Sequence, residues 1–314
     1  MRYDTVIVGG GSAGLSAAQA LARARRRVLV VDAGQPRNRF ADAVHNVFGH
    51  DGTPPATLLA NGRAELLRYP TATVIAGEAI EACADADGFS LVLADGQTVQ
   101  ARTLILAGGV RDVLPPLDGL QARWGRSVLH CPYCHGFEVA GRALGVFAGD
   151  AMGLHRALML PDWGPTTCFL EDGFEPDADD ARKLANRGVT LERVPVVELL
   201  GTAPALDGVR LADGRVIAIE ALFVGSRVEP VDGLAEMLGC AQDTSPLGPH
   251  LRVDAFKQTS VPGVFAAGDL SQPMHSVPLA VASGLLAGVG AHQALIAADA
   301  ACCLLYTSPS PRDS

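Results

Sequence analysis

The sequence predicts an α/β protein made of two tandem Rossmann-like dinucleotide-binding domains, each a three-layer ββα fold, with the second inserted in the first. A glycine-rich turn between an apolar run and a small-residue helix opens the chain, and residues 142–170 repeat that layout. A further strand and a long apolar helix follow the repeat, and they would complete the first domain. We therefore expect a first domain of residues 1–119 and 247–299 around a second of residues 120–246.

The opening turn carries the strongest local signal. Residues 5–8 form an apolar run, Gly9, Gly11 and Gly14 follow as G-x-G-x-x-G, and a second apolar run ends at Asp32. This pattern between a strand and a helix, with an acid about 20 residues on, is typical of dinucleotide binding. The glycines let a pyrophosphate approach the helix N-terminus, and Asp32 can accept a hydrogen bond from a ribose hydroxyl.

Each predicted domain also contains turn signals for a small antiparallel meander. Asp87-Gly88 and Asp95-Gly96 flank the alternating run FSLVLA, and Asp207-Gly208 and Asp213-Gly214 flank VRLA. Such dipeptides around alternating residues predict β-hairpins. The chain therefore repeats the order strand, glycine turn, helix, strand, hairpin and strand.

The segment HCPYCHG, residues 130–136, lies at the start of the second predicted domain, before its first strand, and is compatible with three kinds of site. Cys131 and Cys134 have the spacing of c-type haem attachment, of a zinc site completed by His130 and His135, or of a redox-active dithiol. Haem attachment requires export, for which the N-terminus shows no signal. Adjacent His130 and Cys131 would strain a tetrahedral site. We therefore favour the redox disulfide and predict no metal.

Composition and charge exclude several classes of partner. The formal net charge is -9 with no long basic run, which argues against nucleic acid. The apolar stretch 277–296 contains Pro, Ser and several Gly, which favours a buried helix over a membrane span. Seven cysteines are too few for a secreted disulfide scaffold, so we expect a reducing cytoplasm. Residues 303–314 resemble a translated library adaptor, and we expect them to be non-native and disordered.

The motifs GGGSAG, LILAGG and GVFAAGDL, enclosing a second fold that begins near a CxxC, resemble the low-molecular-weight thioredoxin reductase-like flavoproteins. These are FAD-dependent pyridine nucleotide-disulfide oxidoreductases. The resemblance covers nearly the whole chain before the tail and implies FAD in the first domain and a homodimer. Asp32 replaces the usual glutamate at the adenosine ribose. The resemblance implies that the FAD-contacting residues are Gly9, Gly11, Ser12, Ala13, Gly14, Asp32, Asn46, Gly268, Asp269, His275, Ser276 and Val277.

A narrower resemblance concerns the redox motif. CPYCHGFE, with GHDGTPPA upstream, is similar to the branch that oxidises dithiols of the gliotoxin and holomycin type and passes electrons to dioxygen. It implies that Cys134 faces the flavin and that Cys131 exchanges with the substrate. His135 replaces the acid usual in the reductases, and a histidine can take a proton from a thiol near neutral pH.

The second domain departs from a working NADPH site. Asp150 stands where a phosphate would approach, and the next strand is followed by an acidic run without arginine, formed by Glu171, Asp172, Glu175, Asp177, Asp179 and Asp180. Two like charges 4 Å apart at a protein surface repel by roughly 4 kcal/mol. NADPH is therefore a doubtful donor, and NADH is less penalised.

Together these observations predict an FAD-dependent thiol-disulfide oxidoreductase that cycles a Cys131–Cys134 disulfide and oxidises a small dithiol with dioxygen. Two alternatives stay open at this point. One is an NAD(P)H-dependent reductase of a thioredoxin-like disulfide, which would use the same residues in the opposite direction. The other is a flavin-binding redox sensor without turnover.

Overall fold

A computed structural model describes residues 2–304 of the chain, and the side chains of residues 2–301. Of the predicted tail, residues 303–314, the part from residue 305 onward lies outside the described residues. The strands of the described part are β1 (Arg2–Val8), β2 (Val28–Asp32), β3 (Ala72–Ala76), β4 (Ala79–Asp85), β5 (Gly88–Leu93), β6 (Thr98–Leu106), β7 (Val110–Val113), β8 (Val128–Leu129), β9 (Leu144–Ala148), β10 (Thr166–Leu170), β11 (Thr190–Glu192), β12 (Val196–Leu200), β13 (Gly208–Leu211), β14 (Val216–Ile217), β15 (Ala221–Phe223), β16 (Arg227–Pro230), β17 (Gln242–Ser245), β18 (Gly248–Leu251) and β19 (Val264–Ala266). The α-helices are α1 (Ser12–Arg23), α2 (Pro55–Leu66), α3 (Pro132–His135), α4 (Ala151–Met159), α5 (Ala178–Asn186), α6 (Leu234–Met237) and α7 (Val277–Leu304).

The chain divides into two compact units. Unit 1 contains the residues up to 37, residues 56–111 and the residues from 229 onward, and unit 2 contains residues 38–55 and 112–228. The domain boundaries predicted from the sequence, after residues 119 and 246, stay predictions.

Unit 1 is built on a seven-stranded sheet in the order β3-β2-β1-β6-β5-β4, with β19 paired to β6. The pairs from β3 through β1 to β6 are parallel, whereas β4, β5 and β6 form an antiparallel meander. Strand β6 pairs with β5 along its first half and with β19 along its last three residues. The carboxyl ends of β1, β2 and β19 therefore meet at one edge of the sheet, where α/β folds bind their ligands.

The central strands of unit 1 are buried on both faces. In β1, Val6 and Val8 pack into one core cluster, whereas Ile7 packs into a second cluster with α1 and α7. Side chains alternate between the faces of a strand, so a continuous apolar run gives a strand covered on both sides. This burial explains why the run at residues 5–8 predicts a central parallel strand.

Helix α7 lies against α1 through small residues. A side chain at Gly284 would collide with the backbone carbonyl of Ala13, so only glycine permits this approach. Ala287 and Ala291 belong to the same core cluster as α1. By length and composition alone, Val277–Ala301 is apolar enough to cross a bilayer, with a mean hydropathy of 1.6. One face of this helix packs on α1, and 39% of its most apolar window is buried.

Unit 2 repeats the architecture with a five-stranded, fully parallel sheet in the order β11-β10-β9-β15-β8. Val146 and Ala148 of β9 pack with α4 and α5 on one face, whereas Phe147 packs against the antiparallel sheet β12-β13-β14 on the other. Helices, parallel sheet and meander thus form three layers. The predicted α/β class with two Rossmann-like folds is confirmed.

Candidate active site

The glycine turn of unit 1 leaves the start of α1 open. Gly9 has φ +104°, and a side chain there would collide with the carbonyl of Ala107. Gly11 is the N-cap residue of α1 and no side chain caps this helix. A Cβ built on Gly11 would meet no other heavy atom within 4 Å. The first-turn amides of α1 are therefore left for an external anion, as the sequence predicts for a pyrophosphate.

Asp32 is tied to this turn by several contacts. It ends β2, and its Oδ1 accepts hydrogen bonds from the backbone amides of Gly10 at 3.2 Å and Gly34 at 3.1 Å. Its Oδ2 is ion-paired with Arg63 of α2. Arg63 was not predicted from the sequence, because it lies 31 residues after Asp32 and belongs to no recognisable motif.

Asp269 and His275 share one partner. Asp269 lies in a short 3-10 helix, Gly268–Ser271, directly after β19. Arg37 Nη1 lies 3.0 Å from Asp269 Oδ2 and 2.7 Å from His275 Nδ1. Because a guanidinium only donates, His275 Nδ1 accepts, and its Nε2 can then donate to the Gln272 carbonyl at 3.1 Å. These contacts assign one neutral tautomer to His275.

The predicted FAD residues of unit 1 gather where β1, β2 and β19 end. Ser12, Ala13 and Gly14 form the first turn of α1, and a Cβ at Gly268 would lie 3.0 Å from that of Ala13. Ser276 and Val277 stand at the start of α7, where Ser276 Oγ accepts from the Leu279 amide at 3.3 Å. The open helix start and the adjacent carboxylate fit the pyrophosphate and ribose of a dinucleotide such as FAD.

The two motif cysteines are held together in unit 2. Cys131 is the N-cap residue of α3 and Cys134 lies within that helix. The pKa of Cys131 is lowered from about 9 to about 7, mainly because its sulfur accepts a hydrogen bond from the Cys134 side chain. Burial opposes this effect, and the backbone amides of Cys134 and Tyr133 add to it. Cys131 is therefore about half thiolate at neutral pH.

His135, the last residue of α3, lies in the same half-buried surface. Burial lowers its pKa, the nearby Glu138 carboxylate raises it, and His45 lowers it. The net direction is downward, so the imidazole is the neutral, proton-accepting form at neutral pH.

A loop of unit 2, defined here as the 44–53 loop, contacts this motif. Asn46 has φ +60°, and its side-chain amide donates to the Tyr133 carbonyl at 2.8 Å. His45 Nε2 lies 3.2 Å from Glu138 Oε1. The structure thus places Asn46 beside the cysteines, and its predicted flavin contact stays a prediction. Sequence reasoning missed Glu138, and it gives His45 only as a weaker candidate for shaping the pocket, together with His50 and His275.

The remaining candidates do not join this cluster as a metal site. His130 Nδ1 lies 3.3 Å from Ser226 Oγ, which donates to Asp112 at 2.7 Å. His50 is exposed in the 44–53 loop. Across residues 2–301, no group of three or more His, Cys, Asp or Glu side chains is arranged to hold a metal ion.

The first helix of the second fold, α4, is capped by a side chain, whereas α1 of the first fold is not. Asp150 is the N-cap residue of α4, and its carboxylate accepts from the Gly153 amide at 2.8 Å. The position that would receive a pyrophosphate therefore already holds a carboxylate. Glu171 follows β10, and a Cβ on Gly149 would lie 3.5 Å from its Cβ, much as Gly10 lies beside Asp32.

Most of the acidic run has partners within unit 2. Asp177 caps α5 by accepting from the Asp180 amide, Asp179 and Asp180 pair with Lys183, and Glu175 pairs with Arg193. Glu171 differs, because burial and the charge of Asp172 raise its pKa to about 7, against the opposing Arg156 guanidinium and with a smaller contribution from Asp150. The charge argument from the sequence therefore rests on Asp150, Glu171 and Asp172, and Arg156 partly offsets it.

Cys131 alkylation provides a direct check on its pKa. Because the thiolate is the nucleophile, we expect the iodoacetamide rate at Cys131 to rise with pH through a midpoint near 7 rather than 9. Cys134→Ala removes the hydrogen-bond donor and should move the midpoint upward. Peptide mass spectrometry follows each site, with exposed Cys83 as a reference in the same sample. An unchanged midpoint in Cys134→Ala would contradict the assignment.

Known proteins resemble this chain over nearly its whole length. The family model described as pyridine nucleotide-disulphide oxidoreductase matches residues 3–284. The thioredoxin reductase tcpT of Claviceps purpurea is 36% identical over 306 residues, covering 94% of each chain. The thioredoxin reductase sirT of Leptosphaeria maculans is 32% identical over 319 residues, covering 95% of this chain and 96% of that one. The crystal structure of an oxidoreductase from Agrobacterium tumefaciens superposes with a TM-score of 0.90 at 44% identity, covering 94% of this chain and 99% of that one.

Proposed function

The chain belongs to the pyridine nucleotide-disulphide oxidoreductase family, and from that premise we propose that it is an FAD-dependent oxidase of small dithiols with dioxygen as electron acceptor. The family makes it a thioredoxin reductase-like oxidoreductase. The direction of electron flow, the substrate class and the acceptor are the proposal. One observation carries it, which is the difference between the two helix starts that could receive a pyrophosphate.

Helix α1 and helix α4 occupy corresponding places in the two folds but are capped in different ways. The N-cap residue of α1 is Gly11 with no capping side chain, whereas α4 is capped by the Asp150 carboxylate. A phosphate beside that carboxylate would be disfavoured by roughly 4 kcal/mol at 4 Å. This asymmetry supports a cofactor in the first fold and argues against NADPH as electron donor in the second.

In the proposed reaction, two electrons pass from the substrate dithiol to the cysteine pair. A substrate thiolate attacks Cys131 of the Cys131–Cys134 disulfide, which forms a mixed disulfide and releases the Cys134 thiolate. The second substrate thiolate attacks the substrate sulfur of that bond and releases Cys131. The substrate loses two electrons and two protons, and the enzyme gains a dithiol.

The described residues suit these steps. The pKa of Cys131, near 7, makes its thiolate a good leaving group in the second exchange. His135 is assigned as the base that takes a proton from a substrate thiol, and its lowered pKa keeps it unprotonated at neutral pH.

The residues that would hold FAD lie in unit 1. Gly11 and the first turn of α1 would hold the pyrophosphate, and Asp32 would bind the ribose. Bound FAD would supply the two-electron acceptor for the enzyme dithiol and pass the electrons to dioxygen, which gives hydrogen peroxide.

A thioredoxin-like disulfide reductase is the second candidate. It is favoured by the names of the fungal relatives and by Glu171, which stands where an acid could bind the ribose of NADH. In that case the partner is a thioredoxin-like protein and electrons flow outward through the same cysteines. A homodimer, implied by the resemblance, and a cytoplasmic location, expected from the cysteine content, remain expectations under either candidate.

Anaerobic flavin spectroscopy separates the candidates. Dithiothreitol, NADPH and NADH are added separately to the purified holoprotein, and flavin absorbance is followed. We expect bleaching by dithiothreitol, reversed by air with hydrogen peroxide formed, and little bleaching by NADPH. Fast bleaching by NADPH or NADH but not by the dithiol would replace the oxidase with the reductase. No bleaching by any of the three would point to a redox sensor.

A further inference from the structure

His45 is placed between two carboxylates. Its Nε2 lies 3.2 Å from Glu138 Oε1 and its Nδ1 lies 3.5 Å from Asp51 Oδ1. The side chain of His45 is only 20% exposed. Each nitrogen of the His45 ring therefore lies within ion-pair distance of a carboxylate oxygen.

The 44–53 loop that carries His45 has its own internal bonds. The Val44 amide donates to the Thr53 carbonyl at 2.8 Å, and the Gly52 amide donates to the Val44 carbonyl at 2.9 Å. Asp51 also accepts from the Asn46 amide at 2.9 Å, so it fixes the neighbouring residue as well as His45. Position and orientation of His45 are thus set by the loop itself.

The 44–53 loop contacts the redox segment at one residue before His135 in sequence and at one residue after it. Asn46 donates to the Tyr133 carbonyl, between the two cysteines, and His45 contacts Glu138 in the 3-10 helix that follows α3. Glu138 follows His135 by three residues, and this spacing brings the two side chains to the same side of a helical turn.

We propose that His45 is a positioning residue for the thiol chemistry, and that by holding and neutralising the Glu138 carboxylate it keeps His135 available as the base beside Cys131 and Cys134. The inference rests on the proposed thiol-disulfide function. It adds two residues, His45 and Glu138, that act through His135 rather than on the substrate.

The signs of the charges around His135 support this role. The titratable groups that the 44–53 loop brings near His135 are His45 and, beyond it, Asp51. Those on the segment of His135 itself are His130, Cys131, Cys134 and Glu138. The Glu138 carboxylate raises the pKa of His135 and His45 lowers it. Loss of His45 leaves Glu138 uncompensated, so His135 should hold its proton to higher pH. Loss of Glu138 should have the opposite effect.

A double-mutant cycle with an NMR readout tests the proposal without turnover. The His135 imidazole is titrated in the reduced holoprotein and assigned by its disappearance in His135→Gln. We expect a higher midpoint in His45→Gln, a lower midpoint in Glu138→Gln, and a midpoint near the wild type in the double variant. His155→Gln, at an exposed histidine of α4, is the matched control and should leave the midpoint unchanged.

Dithiol-dependent flavin bleaching gives the second readout. In His45→Gln the rate near pH 6 should fall below that of the wild type and recover at higher pH, with no such shift in His155→Gln. Midpoints that do not move, or that move in the same direction in both single variants, would overturn the proposal. If the wild type fails to react with dithiol, the proposed function fails, and the titration still decides the role of His45. If His45→Gln does not fold, Glu138→Gln breaks the same contact from the other side.

Discussion

Replacement of Cys134 by serine is expected to abolish flavin reduction by a dithiol. With one sulfur left, the Cys131–Cys134 disulfide cannot form, so no oxidant is available to the substrate thiolate. Loss of an essential nucleophile costs on the order of 10³-fold or more in rate. The measurement is the anaerobic bleaching rate with dithiothreitol, and Cys83→Ser, at an exposed cysteine of β4, is the control that should keep the wild-type rate.

The two single-serine variants also separate the roles of the cysteines. Cys131 is assigned to substrate exchange, so Cys134→Ser should accumulate a mixed disulfide when it is incubated with a linear disulfide that cannot close into a ring, such as oxidised glutathione. Intact mass spectrometry would show this adduct on Cys131. Cys131→Ser should form much less of it. The reverse pattern would exchange the two assignments while leaving the redox pair intact, and bleaching at the wild-type rate in both variants would place the chemistry elsewhere.

The fold could be predicted because its signals are local. The apolar run before Gly9, the spacing of the three glycines and the acid at Asp32 lie within one β-α-β unit, and β1, α1 and β2 appear there. The dipeptides Asp87-Gly88 and Asp207-Gly208 likewise mark the starts of meander strands. In each case the backbone conformation follows from neighbours in sequence.

The contacts that complete the candidate site could not be predicted in this way. Arg37 meets Asp269 across 232 residues, and His45 meets Glu138 only because residues 38–55 belong to the second compact unit. No periodicity links such positions. The acidic run shows the opposite problem, because its charges were visible in sequence whereas the lysine and arginine partners of Asp179 and Glu175 were not.

The largest effect on cofactor binding is expected from Gly11→Asp, which gives α1 the cap that α4 already has. Gly11 is extended, with φ -75° and ψ -173°, and a Cβ there meets nothing within 4 Å. Aspartate is a favoured N-cap residue, so the stability of the apoprotein should be unchanged or slightly higher. The new carboxylate would stand at the proposed position of the FAD pyrophosphate, and a repulsion of roughly 4 kcal/mol corresponds to about 10³-fold weaker binding.

Gly11→Asn makes the test specific for charge, since it adds a side chain of nearly the same shape that also caps the helix. We expect a much smaller loss of FAD affinity in Gly11→Asn than in Gly11→Asp, measured by flavin fluorescence titration of the apoprotein. Thermal unfolding without FAD should show both variants folded. Equal losses in the two variants would mean that bulk rather than charge is responsible. Unchanged affinity in both would mean that the pyrophosphate does not lie at the start of α1, and the contrast between α1 and α4 would then no longer support the oxidase.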